Sequence, residues 1–281
     1  MTESPQLLGA ARLRELLNRH GIRPTKMLGQ NFVIDPNTIR KVLAVAQVRP
    51  GDRVLEVGAG AGSLTLGLVD TGATVVAVEV DRRLVGVLEE VVAGVGEVEI
   101  VTADALEYDL AGSRATKLVA NLPYNVAATV VLRALEEAAS LRSLTVMTQR
   151  EVGERLAAAP GSKTYGATSV MTAFYGRAGV AAPVSRNAFY PVPKVDSVIV
   201  RIDRHLKMPA VDATLFRQVV RAAFSQRRKM LRRSLVETTG SLEAATEMLR
   251  HVGISEQARA EDVAIDEFVA LVGAIQEQPR G

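Results

Sequence analysis

The sequence of 281 residues contains no cysteine. Disulfides and thiolate metal sites are thereby excluded, and the absence suits a reducing compartment. Histidine is scarce. His20, His205 and His251 lie far apart and form no pair with the spacing of a zinc site, so no metal is expected. No apolar run reaches the ~18 residues that a membrane span needs. Residues 1–10 lack the basic-then-apolar build of a secretory signal. The chain therefore reads as soluble and cytoplasmic, with no membrane partner. Aromatics are few, six Phe and five Tyr, so those beside a motif carry weight. What remains is an ordinary globular balance, 48% hydrophobic and 23% charged. The length suits one large α/β domain and a small one.

The formal net charge is only +3, yet the isoelectric point is about 9.3. The basic excess is local. Between Thr214 and Leu235 stand Arg217, Arg221, Arg227, Arg228, Lys229, Arg232 and Arg233, with no acid among them. Such a run is either a solvated helix face or the footprint of a polyanion.

Apolar spacing predicts a helix over 7–20, ended by Gly21, then a basic loop over 23–31. Asp35-Pro36-Asn37 opens a second helix over 38–46. From Asp52 the pattern alternates. Strands are expected at 54–57, 74–80, 98–102, 117–120, 144–148 and 198–202, with helices at 64–69 and 82–93 between them. This alternation implies a doubly wound parallel sheet, whose ligands sit beyond the carboxyl ends of the strands. Gly58, Glu79, Asp104 and Asn121 fall at those ends. After residue 205 the β pattern stops, and helices are expected at 214–236, 241–250 and 266–277. The expected domains are 1–205, α/β with an N-terminal helical extension, and a small all-α domain, 206–281.

Four features carry chemistry. Gly58, Gly60 and Gly62 follow a strand and permit a sharp turn with close backbone approach. The third glycine comes one residue too early for the dinucleotide fingerprint, which disfavours NAD and leaves other adenosine ligands open, as well as a plain tight turn. Glu79 is able to accept from both hydroxyls of a ribose or is simply a strand-end acid. Asp104 is able to accept from an adenine amine. Asn121-Leu122-Pro123-Tyr124 is the most specific. An exocyclic adenine amine is a poor nucleophile because its lone pair is delocalised. The Asn121 side-chain oxygen and the Leu122 carbonyl are two acceptors that favour a tetrahedral nitrogen. Pro123 fixes the backbone, and Tyr124 offers a stacking face.

Read in order with Leu28-Gly29-Gln30-Asn31-Phe32, Pro191-Val192-Pro193-Lys194-Val195-Asp196-Ser197 and Ala223-Phe224-Ser225-Gln226-Arg227-Arg228-Lys229, these motifs resemble the ribosomal RNA adenine dimethyltransferase family. The resemblance covers about residues 25–235. It implies a Rossmann-like class I methyltransferase domain and S-adenosyl-L-methionine as methyl donor, with no metal. By the same resemblance Asn31 and Val33 close over the donor, Gly58 and Gly60 pack against it, Glu79 holds its ribose and Asp104 its adenine. Asn121 contacts both donor and target amine, and Phe189 stacks on the target base opposite Tyr124, sandwiching a flipped adenine. Arg221, Arg227, Arg228, Lys229 and Arg232 become RNA contacts. Arg221, Arg228 and Arg232 share a face if the helix is continuous. The sequence departs from the family at Ala59, where proline is usual, at Val33, where leucine is usual, and at Ala167, which follows a Tyr-Gly pair in place of arginine.

The expected activity is dimethylation of N6 on two adjacent adenosines near the 3′ end of small-subunit rRNA during ribosome biogenesis. The expected partner is that RNA or an assembling small subunit, with the enzyme acting as a monomer. Leu122 favours this branch over the sister branch that modifies large-subunit rRNA. DNA adenine methyltransferases tend to carry Pro-Pro after the Asn or Asp. A pure RNA-binding assembly factor would not need the intact donor set Gly58, Glu79, Asp104 and Asn121.

Overall fold

The computed structural model describes residues 7–24, 30–225 and 229–277. Helix α1 (Ala10–Arg19) buries Leu13, Leu16 and Leu17 along one stripe, as a period near 3.6 dictates. A two-residue strand β1 (Phe32–Val33) follows. Helix α2 (Pro36–Ala46) starts where Asp35 accepts from the backbone N–H groups of Asn37 and Thr38, with Pro36 in the first turn. The alternating part is β2 (Arg53–Val57), α3 (Ser63–Asp70), β3 (Thr74–Glu79), α4 (Arg82–Val92), β4 (Val98–Thr102), β5 (Lys117–Asn121), α5 (Ala127–Glu137) and β6 (Ser143–Gln149). Helices α6 (Arg150–Leu156) and α7 (Ala167–Tyr175) lead to β7 (Gly176–Val184), β8 (Phe189–Tyr190) and β9 (Ser197–Arg204). The rest is helical: α8 (Ala213–Ser225), α9 (Leu231–Ser234), α10 (Val236–Thr239), α11 (Leu242–His251) and α12 (Ile265–Glu277).

The main sheet has seven strands in the order β4-β3-β2-β5-β6-β9-β7. Pairings among β2 to β6 are parallel, and β9 runs antiparallel to β6. Strands β2 and β3 are buried on both faces, which explains their continuous apolar runs. The order reverses between β2 and β5, and the carboxyl ends there form the switch point at which such sheets bind ligands. A second sheet has only two strands, β1 and β8, with Phe32 opposite Tyr190 and Val33 opposite Phe189. It ties the N-terminal segment beside that switch point.

Two compact units divide the chain, Met1–Gly153 with Ala178–Arg204, and Glu154–Arg177 with His205–Gly281. The division is not linear, unlike the expected boundary near 205. Residues 154–177 join the helical unit, where Phe174 of α7 stacks on Phe216 of α8 at 4.1 Å between ring centroids. Nor is the expected helix over 214–236 continuous. Among the described residues α8 reaches Ser225, and Met230 is extended, at φ −64° and ψ 142°. The turn hands the Leu231 N–H to the carbonyl of Ala258 at 2.8 Å. Hydrophobic periodicity ran on across the break and concealed it.

Candidate active site

The loop after β2 is folded back on β3. The N–H groups of Gly58 and Ala59 both donate to the carbonyl of Val78, at 2.8 and 3.2 Å. A proline at 59 would lack the second donor. Gly58 and Gly60 have φ of +75° and +59°, a region costly for residues with a Cβ. A Cβ on Gly58 would lie 3.4 Å from Cδ of Pro123, and one on Gly60 would lie 3.2 Å from the Phe32 ring. The glycines thus let the loop sit directly against both the Asn121–Tyr124 turn and β1.

Glu79, at the end of β3, is 6% exposed. Its Oε2 accepts from Gly60 N–H at 2.8 Å and its Oε1 from Asp81 N–H at 2.9 Å. Each oxygen keeps a further lone pair for a ligand hydroxyl. Burial pushes the Glu79 carboxyl above its ordinary range, partly offset by the N–H groups of Asp81, Gly60 and Val80 and reinforced by the charge of Asp81. Asp81 accepts from Arg83 and from Gln30 Nε2, at 2.7 and 2.9 Å, and the Arg83 contact leads in lowering its pKa. Glu56, inside β2, is also buried. Thr65 Oγ1 donates to it at 2.6 Å, but burial, with Glu79 nearby, raises its pKa to about 8. Asp104 takes the Leu106 N–H at 2.8 Å through Oδ1.

The turn after β5 is fixed at several points. Asn121 Nδ2 donates to the carbonyl of Asn31 at 2.9 Å. A carbonyl only accepts, so this contact sets which end of the amide is nitrogen, and Oδ1 is the end left to accept. Leu122 N–H donates to Met147 O at 3.0 Å. Leu122 is 1% exposed and lies against the cavity beside Asn121. Tyr124 Oη pairs with Ser197 Oγ at 2.9 Å, and burial raises the phenol pKa, partly offset by Ser197.

The glycine loop, the end of β3 and the turn after β5 wall one cavity of about 1210 Å³, its open mouth included. Asn31, Val33, Gly58, Gly60, Glu79, Asp104, Asn121, Leu122 and Tyr124, all expected at the site, line it together. Phe189 does not. It is fully buried, pairs with Val33 and belongs to the core beneath, so the expected stacking face opposite Tyr124 is not presented. In strand β8 the side chains alternate, and Phe189 takes the inward position while Tyr190 is half-buried under Arg14, 4.9 Å from its ring centre. Among the basic residues, Arg221 and Lys229 are exposed. Arg232 is half-buried and faces Glu256 at 3.8 Å. Arg227 and Arg228 lie outside the described residues, as do Leu28 and Gly29. The extended Met230 separates Arg232 from the helix that carries Arg221, so these two do not share the expected helix face.

Sequence reasoning missed Gln30, Glu56, Val80 and Ser197. Val80 is apolar yet 51% exposed and lines the cavity beside Glu79. It was read as the last residue of a buried strand, and only the end of β3 at Glu79 turns it outward.

Residues 22–277 match the family model described as Ribosomal RNA adenine dimethylase. The chain belongs to the ribosomal RNA adenine dimethylase family. It is an enzyme that methylates rRNA adenine with S-adenosyl-L-methionine. The family member named Ribosomal RNA small subunit methyltransferase A in Leifsonia xyli subsp. xyli is 49% identical over 273 residues, 95% of this chain and 98% of the relative. The protein of the same name from Streptomyces coelicolor is 46% identical over 274 residues, covering 94% and 96%. Among solved structures, the 23S rRNA methyltransferase ErmE superposes with a TM-score of 0.68 at 26% identity, over 88% of this chain and all of that one. A dimethyladenosine transferase from Plasmodium falciparum shares the fold, with a TM-score of 0.76 at 21% identity over 85% of this chain and 95% of that one. No helix among the described residues of this dimethylase is long and apolar enough to cross a membrane.

Proposed function

We propose that this dimethylase modifies N6 of two adjacent adenosines near the 3′ end of small-subunit rRNA, placing two methyl groups on each, in the cytoplasm and as a monomer. The small-subunit assignment follows the names of relatives at 43–49% identity, against 26% for the 23S enzyme. The second unit, Glu154–Arg177 with His205–Gly281, is read as an RNA-docking domain, with Arg221 and Lys229 as phosphate contacts.

The residues present fit the donor. Carboxylates Glu79 and Asp104 line the cavity beside Glu56, which burial keeps protonated up to about pH 8, and no Lys or Arg does among the described residues. That polarity suits a cationic, phosphate-free nucleoside and disfavours a dinucleotide. Val80, exposed next to Glu79, supplies an apolar face for an adenine. Bound, S-adenosylmethionine supplies a methyl group on a sulfonium, which leaves its bonding pair on sulfur.

The protein's own work is positioning. Glu79 accepts ribose hydroxyls and Asp104 an adenine amine. Asn121 Oδ1 and the Leu122 carbonyl accept the two hydrogens of the target amine, turning its lone pair out of the ring. That pair forms the new C–N bond, and the nitrogen then sheds a proton to solvent. Tyr124 stacks on the target base. The observation that carries this reading is the Asn121–Asn31 hydrogen bond, which leaves only an acceptor at the free end of the Asn121 amide.

The test uses labelled S-adenosylmethionine and small ribosomal subunits lacking the methylation. Label is expected in N6,N6-dimethyladenosine, with Asn121→Ala reducing the rate by about 10²-fold or more, the scale at which removal of one oriented polar group acts. Tight subunit binding without label would overturn the reading in favour of a binding factor.

A further inference from the structure

We propose that Ser197 is a positioning residue for methyl transfer, setting the ring of Tyr124 for the target base through the hydrogen bond between the two hydroxyls. The inference rests on the stacking role given above to Tyr124. Ser197 contributes no wall to the cavity and does not touch the reacting atoms. It acts through the tyrosine.

The geometry has three parts. First, Tyr124 sits in a turn outside any helix or strand, half-buried, with one side on the cavity. No aromatic contact among the described residues clamps its ring, and its hydroxyl is tied only to Ser197, at 2.9 Å. Rotation about χ1 swings the hydroxyl through space, so anchoring the far end fixes that bond; the hydroxyl lies on the χ2 axis, and there the hydrogen bond only favours the ring plane that contains the phenol O–H. Second, Ser197 is built into the sheet. It is fully buried and is the first residue of β9, in register with Gln149 of β6. Third, the turn before it is pinned by its neighbour. The main-chain carbonyl of Asp196 accepts from Arg150 N–H at 3.1 Å, its Oδ1 accepts from Arg186 N–H at 3.1 Å, and its Oδ2 faces Arg150 Nη2 at 3.4 Å. Thus the Pro191–Ser197 motif, to which sequence gave no chemical role, transmits the position of strand β9 to the base-stacking ring.

Two successive transfers to one nitrogen make the ring position matter more for the second. The monomethylated base is bulkier at N6 and has fewer hydrogens to hold its orientation, so stacking carries more of the alignment. A ring free to tilt therefore penalises dimethyl formation above monomethyl formation.

The test is a double-mutant cycle with Ser197→Ala and Tyr124→Phe. Tyr124→Phe keeps the stacking face and deletes only the hydroxyl, and neither change alters bulk enough to threaten folding. Each single variant is expected to lower kcat on unmethylated subunits by roughly 10-fold, within the ~10²-fold that a 1 Å misplacement costs. The ratio of monomethyl to dimethyl product should rise, and affinity for S-adenosylhomocysteine should be unchanged. The double variant should be no slower than either single one. Unaltered kcat and product ratio in Ser197→Ala would overturn the proposal, as would losses that multiply in the double variant or weakened S-adenosylhomocysteine binding. Wild-type protein assayed in parallel separates the two levels. An inactive wild type sinks the functional reading and this proposal with it, whereas an active wild type with an indifferent Ser197→Ala sinks this proposal alone.

Discussion

Gly60 does two things that no other residue type combines. Its φ of +59° suits glycine, and its N–H holds Glu79 Oε2 at 2.8 Å. Gly60→Ala imposes a left-handed conformation, at about 1–2 kcal/mol, and brings a Cβ within 3.2 Å of the Phe32 ring. The expected outcome is a lower denaturation midpoint together with weaker S-adenosylhomocysteine binding by calorimetry. An unchanged affinity would mean that Glu79 does not depend on the loop. The glycines, Glu79 and Asn121 were all legible in the sequence because they sit at strand ends with a distinctive spacing. Phe189 was not, because a motif match gives a residue's place in the chain and says nothing of which way its side chain points. Strand alternation in β8 sends it into the core, and only the pairing with β1 reveals that. Glu56 escaped notice for a related reason: in sequence it is one acid inside a strand, and its raised pKa arises from complete burial.

At the level of elements, the expected strands and helices of the alternating region agree with the structure to within two residues, because burial on both faces of β2 and β3 leaves an unambiguous apolar run, whereas helix α5 was not expected. Strands β1, β7 and β8 went unread. Two are only two residues long, and β7 carries Gly, Ala and Pro with mostly exposed positions, so neither period nor propensity marks them. Helix α1 has a structural part in the site. Leu13, Leu16 and Leu17 share a buried cluster with Phe32, Ala61 and Leu84, and Phe32, Ala61 and Leu84 also line the cavity. Leu16→Ala is therefore expected to cost about 2–5 kcal/mol of stability and to weaken donor binding, although Leu16 itself does not line that cavity. Urea denaturation and calorimetry on the same variant check both halves. A stability loss with intact affinity would show that α1 does not support the cavity wall.

For the whole molecule, Glu56 makes stability depend on pH. Its carboxyl titrates near 4.5 when exposed and at about 8 in the fold, chiefly because burial disfavours the charge. Between those values the unfolded chain releases the proton and the folded chain keeps it. Stability therefore falls as pH rises through that window, by up to about 1.4 kcal/mol per unit from this group. Glu56→Gln imitates the protonated form, so the variant should lose less stability than the parent between about pH 5 and about pH 8. Glu79, raised in the same sense, leaves a residual slope. Parallel slopes for the two proteins would show that Glu56 does not titrate as its burial implies.

The pairing of Phe32 with Tyr190 and Val33 with Phe189 also sets a timetable. The two partners of this small sheet are 156 residues apart, from Val33 to Phe189, and a nascent chain grows at about 5–20 residues per second, so β1 waits roughly 8–30 s for β8 to be made. Strand β9, which carries Ser197, comes later still. The glycine loop, Glu79 and Asn121 are all synthesised in that interval, before the strand that latches the N-terminal wall exists. A chain arrested between β6 and β8 would own most of the donor-binding residues and none of the latch that closes them in.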